Sequence, residues 1–271
     1  MRPFERFSMV IAAALLAAST SSCFAVTNLD RFEKDNSAAG NFNDLSLTVR
    51  GMFSHVNEMF EYRIVDGTNT LQSRGIIKPL GGPDASMFAA GAVPKQNGPF
   101  TLDFYADHDN SGGYDRDPVN GTGDHSWRIP LTPDLLNDKG AFVIAFDHNT
   151  SFTVITAPEP PREIGMPATI HLANMDAFVG RRVEVRVADA SSKRVVAMYR
   201  INGLAAPSAT VVIPGMIEGG VSYTVEVYTD DNAPSPGSVR AFRVEEQSGA
   251  TGLEVTFDPA KAPEVHDAAP P

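Results

Sequence analysis

The chain has 271 residues, one cysteine and a formal net charge of −11 from 22 basic and 33 acidic side chains. That balance excludes the basic footprint that nucleic-acid phosphates require, and a lone cysteine excludes an internal disulfide. A hydrophobic fraction of 42% and a charged fraction of 20% are those of a globular chain. Pro and Gly are plentiful and helical periodicity is scarce, which points to many short strands joined by turns.

In chain order, Arg2 and Arg6 form a basic start, Met9 to Ala18 an apolar run, and Ala17 to Ser22 a small-residue stretch. Residues 1–22 thus read as a secretory signal peptide, because a membrane-spanning helix needs about 20 apolar residues. Thr20-Ser21-Ser22-Cys23 resembles a bacterial lipobox. The resemblance implies that Cys23 becomes the lipidated first residue of the mature chain, and Phe24 after it implies the outer membrane. Cleavage after Ala25 with soluble secretion, and retention of the leader as an anchor, are the other readings. All three place the folded part outside the cytoplasm. Residues 23–43 read as a polar tether.

Strand signals follow at short intervals. Leu45–Val49 and Met59–Val65 alternate, Phe100–Tyr105 places Phe100, Leu102 and Phe104 on one face, and Trp127–Ile129 and Ala141–Phe146 complete a first unit over 44–155. Pro133 to Asp138 has room for a turn of helix. Ala157-Pro-Glu-Pro-Pro161 sits in a semi-rigid linker over 156–166. A second unit over 167–260 carries strands at Ala168–Leu172, Val183–Val187, Val195–Tyr199, Thr210–Ile213, Tyr223–Val227, Val239–Val244 and Leu253–Phe257, and 261–271 is a Pro/Ala-rich tail. The second unit repeats the first. Glu61-Tyr-Arg63 returns as Glu184-Val-Arg186, and Phe100-Thr-Leu-Asp-Phe-Tyr105 as Tyr223-Thr-Val-Glu-Val-Tyr228, both at a shift of 123. About seven short strands with turns between them are the pattern of a β-sandwich, and with the repeat they predict an all-β chain of two tandem antiparallel β-sandwiches, Ig-like or transthyretin-like.

Beyond Asp107 the frame breaks, because Trp127-Arg128 matches Phe242-Arg243 at a shift of only 115. The first unit therefore carries a longer connection, Asp107-His108-Asp109-Asn110-Ser111-Gly112-Gly113-Tyr114-Asp115-Arg116-Asp117. Hard oxygens on alternate residues of a tight loop aim at one point, as calcium requires. The spacing makes Asp107, Asp109, Ser111, Gly113, Asp115 and Asp117 the candidate ligands, with Asp124 able to reach back. The segment resembles EF-hand-like and dockerin-like calcium loops over about a dozen residues, and that resemblance implies Ca2+ as the bound ion. It does not extend to an EF-hand pair, since Pro118 stands where the bidentate Glu belongs. A plain turn rich in Asp, Asn and Gly is the competing reading. The second unit's counterpart, Asp230-Asp-Asn-Ala-Pro-Ser-Pro-Gly237, lacks the alternate spacing.

His108, Asp124 and His125 with Asp107 offer a transition-metal set. His55, His148 and His171 read as scattered, with His171 a surface or packing residue. Glu61 with Arg63 and Glu184 with Arg186 read as outward cross-strand ion pairs. No Gly-x-Ser-x-Gly, His-Glu-x-x-His or phosphate-binding loop occurs. The expectation is a non-enzymatic cell-envelope binding or scaffold protein that meets the membrane through a lipid anchor and has a protein or glycan partner. A carbohydrate- or protein-binding accessory module, and a metal-dependent hydrolase or redox protein using the Asp/His loop, are the alternatives.

Overall fold

A computed structural model describes residues 40–115, 123–156, 160–230 and 239–265. The leader with Cys23, most of the tether, Asp117, the middle of the linker, the second unit's Pro-bearing connection and the end of the tail lie outside the described residues.

The first unit consists of β1 (Phe42–Arg50), β2 (Met59–Asp66), β3 (Leu71–Ile77), β4 (Ala85–Pro94), β5 (Phe100–Asp107), β6 (His125–Leu131) and β7 (Ala141–Asp147). The second consists of β8 (Met166–Leu172), β9 (Arg182–Asp189), β10 (Val195–Asn202), β11 (Ala209–Ile217), β12 (Ser222–Asp230), β13 (Val239–Gln247) and β14 (Leu253–Phe257), with a short β15 (Glu264–Val265) pairing β13. The chain is all-β and forms two sandwiches, as the strand spacing predicts. Short 3-10 turns at Phe53–His55, Pro133–Leu135 and Asp176–Phe178 punctuate it.

β1 shows how the sequence selects its strands. Side chains alternate across a strand, and Asn43, Leu45, Leu47 and Val49 are buried while their neighbours are partly exposed. In its three-stranded sheet, order β4-β1-β7, β1 runs antiparallel to β4 and parallel to β7, with Val49 opposite Phe146. The second unit repeats this in the order β11-β8-β14, with Leu172 opposite Phe257. Each small sheet thus contains one parallel pair, a detail that the antiparallel expectation lacks. The internal repeat survives in the pairing: Phe104 faces Trp127, and Val227 faces Phe242.

The remaining nine strands form one continuous sheet, order β15-β13-β12-β9-β10-β3-β2-β5-β6. The units meet where β3 and β10 pair in parallel, Arg74 opposite Ala197 and Gly75 opposite Met198. Parallel pairing of corresponding strands is what a two-fold axis lying in the sheet along the strands produces, and such an axis exchanges the faces. The first core, with Phe60, Tyr62, Ile64, Leu102, Phe104 and Trp127, accordingly lies on one face of the sheet. The second, with Val183, Val185, Val187, Val225, Val227 and Phe242, lies on the other.

The repeated carboxylates sit at this joint and are not outward. Glu61 and Glu184 are buried. Each pairs within its own strand, Arg63 Nε to Glu61 Oε1 at 2.8 Å and Arg186 Nε to Glu184 Oε1 at 2.7 Å. Each takes a further arginine from the neighbouring strand, Arg74 and Arg200 respectively, although these two differ by two residues in register. Burying a carboxylate is costly unless it is paired and hydrogen-bonded, and three donors on Glu61 (Arg63, Arg74 and the Tyr105 hydroxyl) meet that demand.

Candidate metal centre

Two side-chain clusters lie next to each other at the end of the first sandwich where β5 finishes and β6 begins. The first is the acidic connection. Asp107 closes β5, and its carboxylate accepts the backbone N–H groups of Ser111 and Gly112, both at 3.0 Å. Asp109 accepts the same Ser111 N–H at 3.0 Å. Asn110 and Gly112 take positive φ, 60° and 90°, which folds the loop back tightly enough for Asp107 and Asp109 to converge. Asp124, just before β6, accepts from the His108 N–H at 3.0 Å and the Asp115 N–H at 2.8 Å. One oxygen each of Asp107, Asp109 and Asp124 thereby falls within 4.8 Å of the others.

This convergence has an electrostatic cost. Burial first, opposed by the two backbone donors and reinforced by the charges of Asp107 and Asp109, pushes Asp124 up to about 6. Burial also raises Asp107, whereas hydrogen bonding to Ser111 lowers the exposed Asp109. Of the sequence-predicted ligands, Asp107 and Asp109 come together with Asp124. The Ser111 hydroxyl donates to the Gly113 carbonyl at 2.9 Å, so these two partner each other within the loop. Asp115 sits beside Asp109 and presents its N–H to Asp124. Asp117 lies outside the described residues.

The second cluster is one that the sequence does not announce. His55 closes the turn after β1, Glu58 precedes β2, His108 follows β5, His125 opens β6 and His148 follows β7, where its N–H donates to the Arg50 carbonyl at 2.9 Å. His55 is fully buried. Its Nδ1 lies 2.7 Å from Glu58 Oε2, and its Nε2 lies 3.2 Å from His148 Nε2 and 3.3 Å from His125 Nδ1. The other Glu58 oxygen lies 2.8 Å from His108 Nδ1. Aromatic rings wall the group: His125 is stacked between His108 at 4.9 Å and Phe152 at 4.1 Å, and Trp127 stands 5.7 Å from His148. Burial, then the electrostatic cost of adding a proton beside another imidazole at His55, holds both His125 and His148 below the usual imidazole range.

The reading of His55 and His148 as scattered is therefore wrong. They lie 93 positions apart, and only the meeting of strand ends joins them. His171 stays where the sequence puts it, partly exposed on β8 and bonded to Thr210 and Glu254. The set of Asp107, His108, Asp124 and His125 does not form one centre. Asp107 and Asp124 belong to the acidic cluster, the His125 ring to the histidine cluster, and the His108 ring turns to Glu58. A separate cleft lined by Arg63, Arg74, Tyr114, Pro160 and Glu163 lies over the joint, but both its arginines are paired with Glu61.

No family model matches the chain, and no curated protein matches it. Solved structures similar to it include a candidate cell adhesion protein from Bacteroides eggerthii, 9% identical over 81% of this chain and 83% of that one, with a TM-score of 0.26. A shaft pilin from Lactobacillus rhamnosus GG is 9% identical over 80% and 96%, with a TM-score of 0.23. The fimbrial anchor protein Mfa2 from Porphyromonas gingivalis is 13% identical over 68% and 77%, also with a TM-score of 0.23.

Proposed function

We propose that this chain is a non-catalytic binding or scaffold protein of the cell envelope whose first sandwich takes up calcium in the connection between β5 and β6. The observation that carries the reading is the convergence of Asp107, Asp109 and Asp124 in the connection where the shared frame of the two copies first breaks. Calcium is a hard cation that takes six to eight oxygens, so these carboxylates would be the charged part of its shell, with carbonyls and waters completing it. Like charges held this close repel each other, and a divalent cation removes that cost. The apolar leader and the lipobox-like Thr20–Cys23 support an extracytoplasmic address with an acylated Cys23, at the outer membrane by the resemblance. The continuous nine-stranded sheet supports a scaffold role, because it ties the two sandwiches into one body. A protein or glycan is the partner class.

The test is a thermal melt of the mature protein with calcium and with chelator. An ion that binds only the folded state raises the midpoint once its concentration exceeds the dissociation constant. The shift is expected in the wild type and is expected to disappear in Asp107→Ala and Asp109→Ala. An unchanged midpoint in the wild type would leave a plain solvated turn. The anchor is tested separately by the mass of the membrane-extracted protein, which should carry acyl chains that Cys23→Ala lacks.

A further inference from the structure

The second sandwich states what the fold alone requires at the histidine positions. His55 corresponds to Phe178 at the shift of 123; each closes the 3-10 turn after the first strand of its unit. Both are buried. Both present an edge to the corresponding aromatic of the sheet, His55 to Trp127 at 6.1 Å and 81°, Phe178 to Phe242 at 6.3 Å and 77°. A phenyl ring therefore satisfies this packing, and the imidazole nitrogens are an addition. The other members are additions too: Glu58 stands where the second copy has Arg181, and His125 where it has Arg240.

Glu58 fixes where the protons sit. An ionised carboxylate only accepts, so the ring nitrogens that contact it, His55 Nδ1 at 2.7 Å and His108 Nδ1 at 2.8 Å, carry their protons. His55 Nε2 is left with its lone pair pointing away from Glu58. That single lone pair faces two further imidazole nitrogens, His148 Nε2 at 3.2 Å and His125 Nδ1 at 3.3 Å. Nitrogens bound at roughly 2.0–2.1 Å to a tetrahedral ion stand about 3.3–3.4 Å apart. The two separations from His55 Nε2 match edges of such a tetrahedron, and the three nitrogen donors lie within 4.8 Å of one another. A carboxylate on the far nitrogen of a metal-binding imidazole is also the outer partner that fixes its tautomer and strengthens it as a ligand.

We propose that His55, His125 and His148 hold one divalent transition-metal ion of the kind that imidazole favours, with Glu58 as the positioning group behind His55 and His108 as the group that steadies Glu58. Three nitrogen ligands leave a fourth position for water or a partner's donor atom, and Phe152 stacks on the His125 ring with Trp127 edge-on to Phe152. Calcium prefers oxygen donors and does not compete here. The site is independent of the calcium reading, since no carboxylate of the acidic cluster is among its ligands.

The experiment is equilibrium binding of zinc(II) to the chelator-stripped mature protein, by calorimetry and by metal analysis after dialysis. The wild type and Asp109→Ala should each bind one equivalent. His55→Phe, which installs the residue that the second copy uses, and His148→Ala, at a partly exposed position, should each lose at least a hundredfold in affinity while keeping the strand signature in circular dichroism. Glu58→Gln should lose roughly ten- to a hundredfold. Absence of zinc from the wild type would overturn the proposal, and so would undiminished binding by both histidine variants. Zinc lost in Asp109→Ala but kept in His55→Phe would assign the ion to the acidic loop and would overturn it equally. Retention of the calcium-dependent melting shift in His55→Phe separates the two sites.

Discussion

Arg200 of the second sandwich donates from Nη1 to the backbone carbonyl of Ser86 in the first, at 2.8 Å. The reciprocal contact runs from Arg74 Nη1 in the first sandwich to the carbonyl of Pro214 in the second, at 2.6 Å. Each arginine also serves the buried glutamate of its own half, so each charge network is roofed by the small sheet of the other half. Removing one partner of a buried pair leaves the remaining charges unpaired, which costs about 3–5 kcal/mol. Glu184→Gln is expected to lose stability of that order, because Arg186 and Arg200 stay buried. Urea unfolding checks it, and the loss should appear in a single transition, since the joint belongs to both halves.

Acid should act through the same joint. Burial alone would raise Glu61, but the charges of Arg63 and Arg74 and the hydrogen bonds from Arg63 and Tyr105 outweigh it and hold the group at about 2, below its ordinary 4.5. A folded-state pKa below the unfolded one gives stability that is complete above the unfolded value and is lost as pH falls through the folded one. Stability should therefore decline between about pH 5 and pH 2, by an amount on the order of 3 kcal/mol for this group. Glu184 is lowered in the same direction and adds to the slope. Denaturant midpoints across this window measure the effect, and Glu61→Gln should flatten it.

Gly75 lies opposite Tyr62 in the β2–β3 pair, and the tyrosine ring covers it. A methyl group there would collide with the ring, which is itself fully buried. Gly75→Ala should cost about 1–3 kcal/mol as an overpacking change, read from the thermal midpoint. Tyr62→Phe keeps the ring and should be milder.

Trp127 is the only tryptophan and stands 5.7 Å from His148. Copper(II), a paramagnetic ion with strong affinity for imidazole, should quench its fluorescence in one saturable phase. Calcium should leave the emission unchanged. His55→Phe should abolish the copper response, and full quenching in that variant would place the copper elsewhere.

The repeat made the architecture legible. The same frame that aligned Glu61 with Glu184 aligns β2 with β9 and β5 with β12. β3 and β4 escaped the sequence reading although their counterparts at Val195 and Thr210 were visible. Nearly every residue of Leu71–Ile77 is buried, one face on its own core and the other against the second sandwich, so the alternation that marks a half-buried strand is missing. The small-residue run Ala89-Ala90-Gly91-Ala92 in β4 carries no period either. Glu61 looked like a surface residue because charge ordinarily means solvent, and only the face exchange at the joint buries it. Asp107 and Asp109 were legible from local spacing. The histidine cluster was not, since its five members come from five strand ends with no regular interval. The signal available was His55 against Phe178, a polar ring where the other copy keeps an apolar one.

The exchange of faces has a consequence for ancestry and for dissection. A surface patch that contacts its own counterpart around a two-fold axis is an isologous interface, the form in which identical subunits pair. The β3–β10 seam with its reciprocal arginines has that form inside one polypeptide. It is the geometry expected of a symmetric dimer whose subunits became covalently joined and then diverged. A half cut free at the linker would carry an unpaired strand edge beside an unroofed carboxylate. It should therefore seek a second copy of itself rather than stand alone.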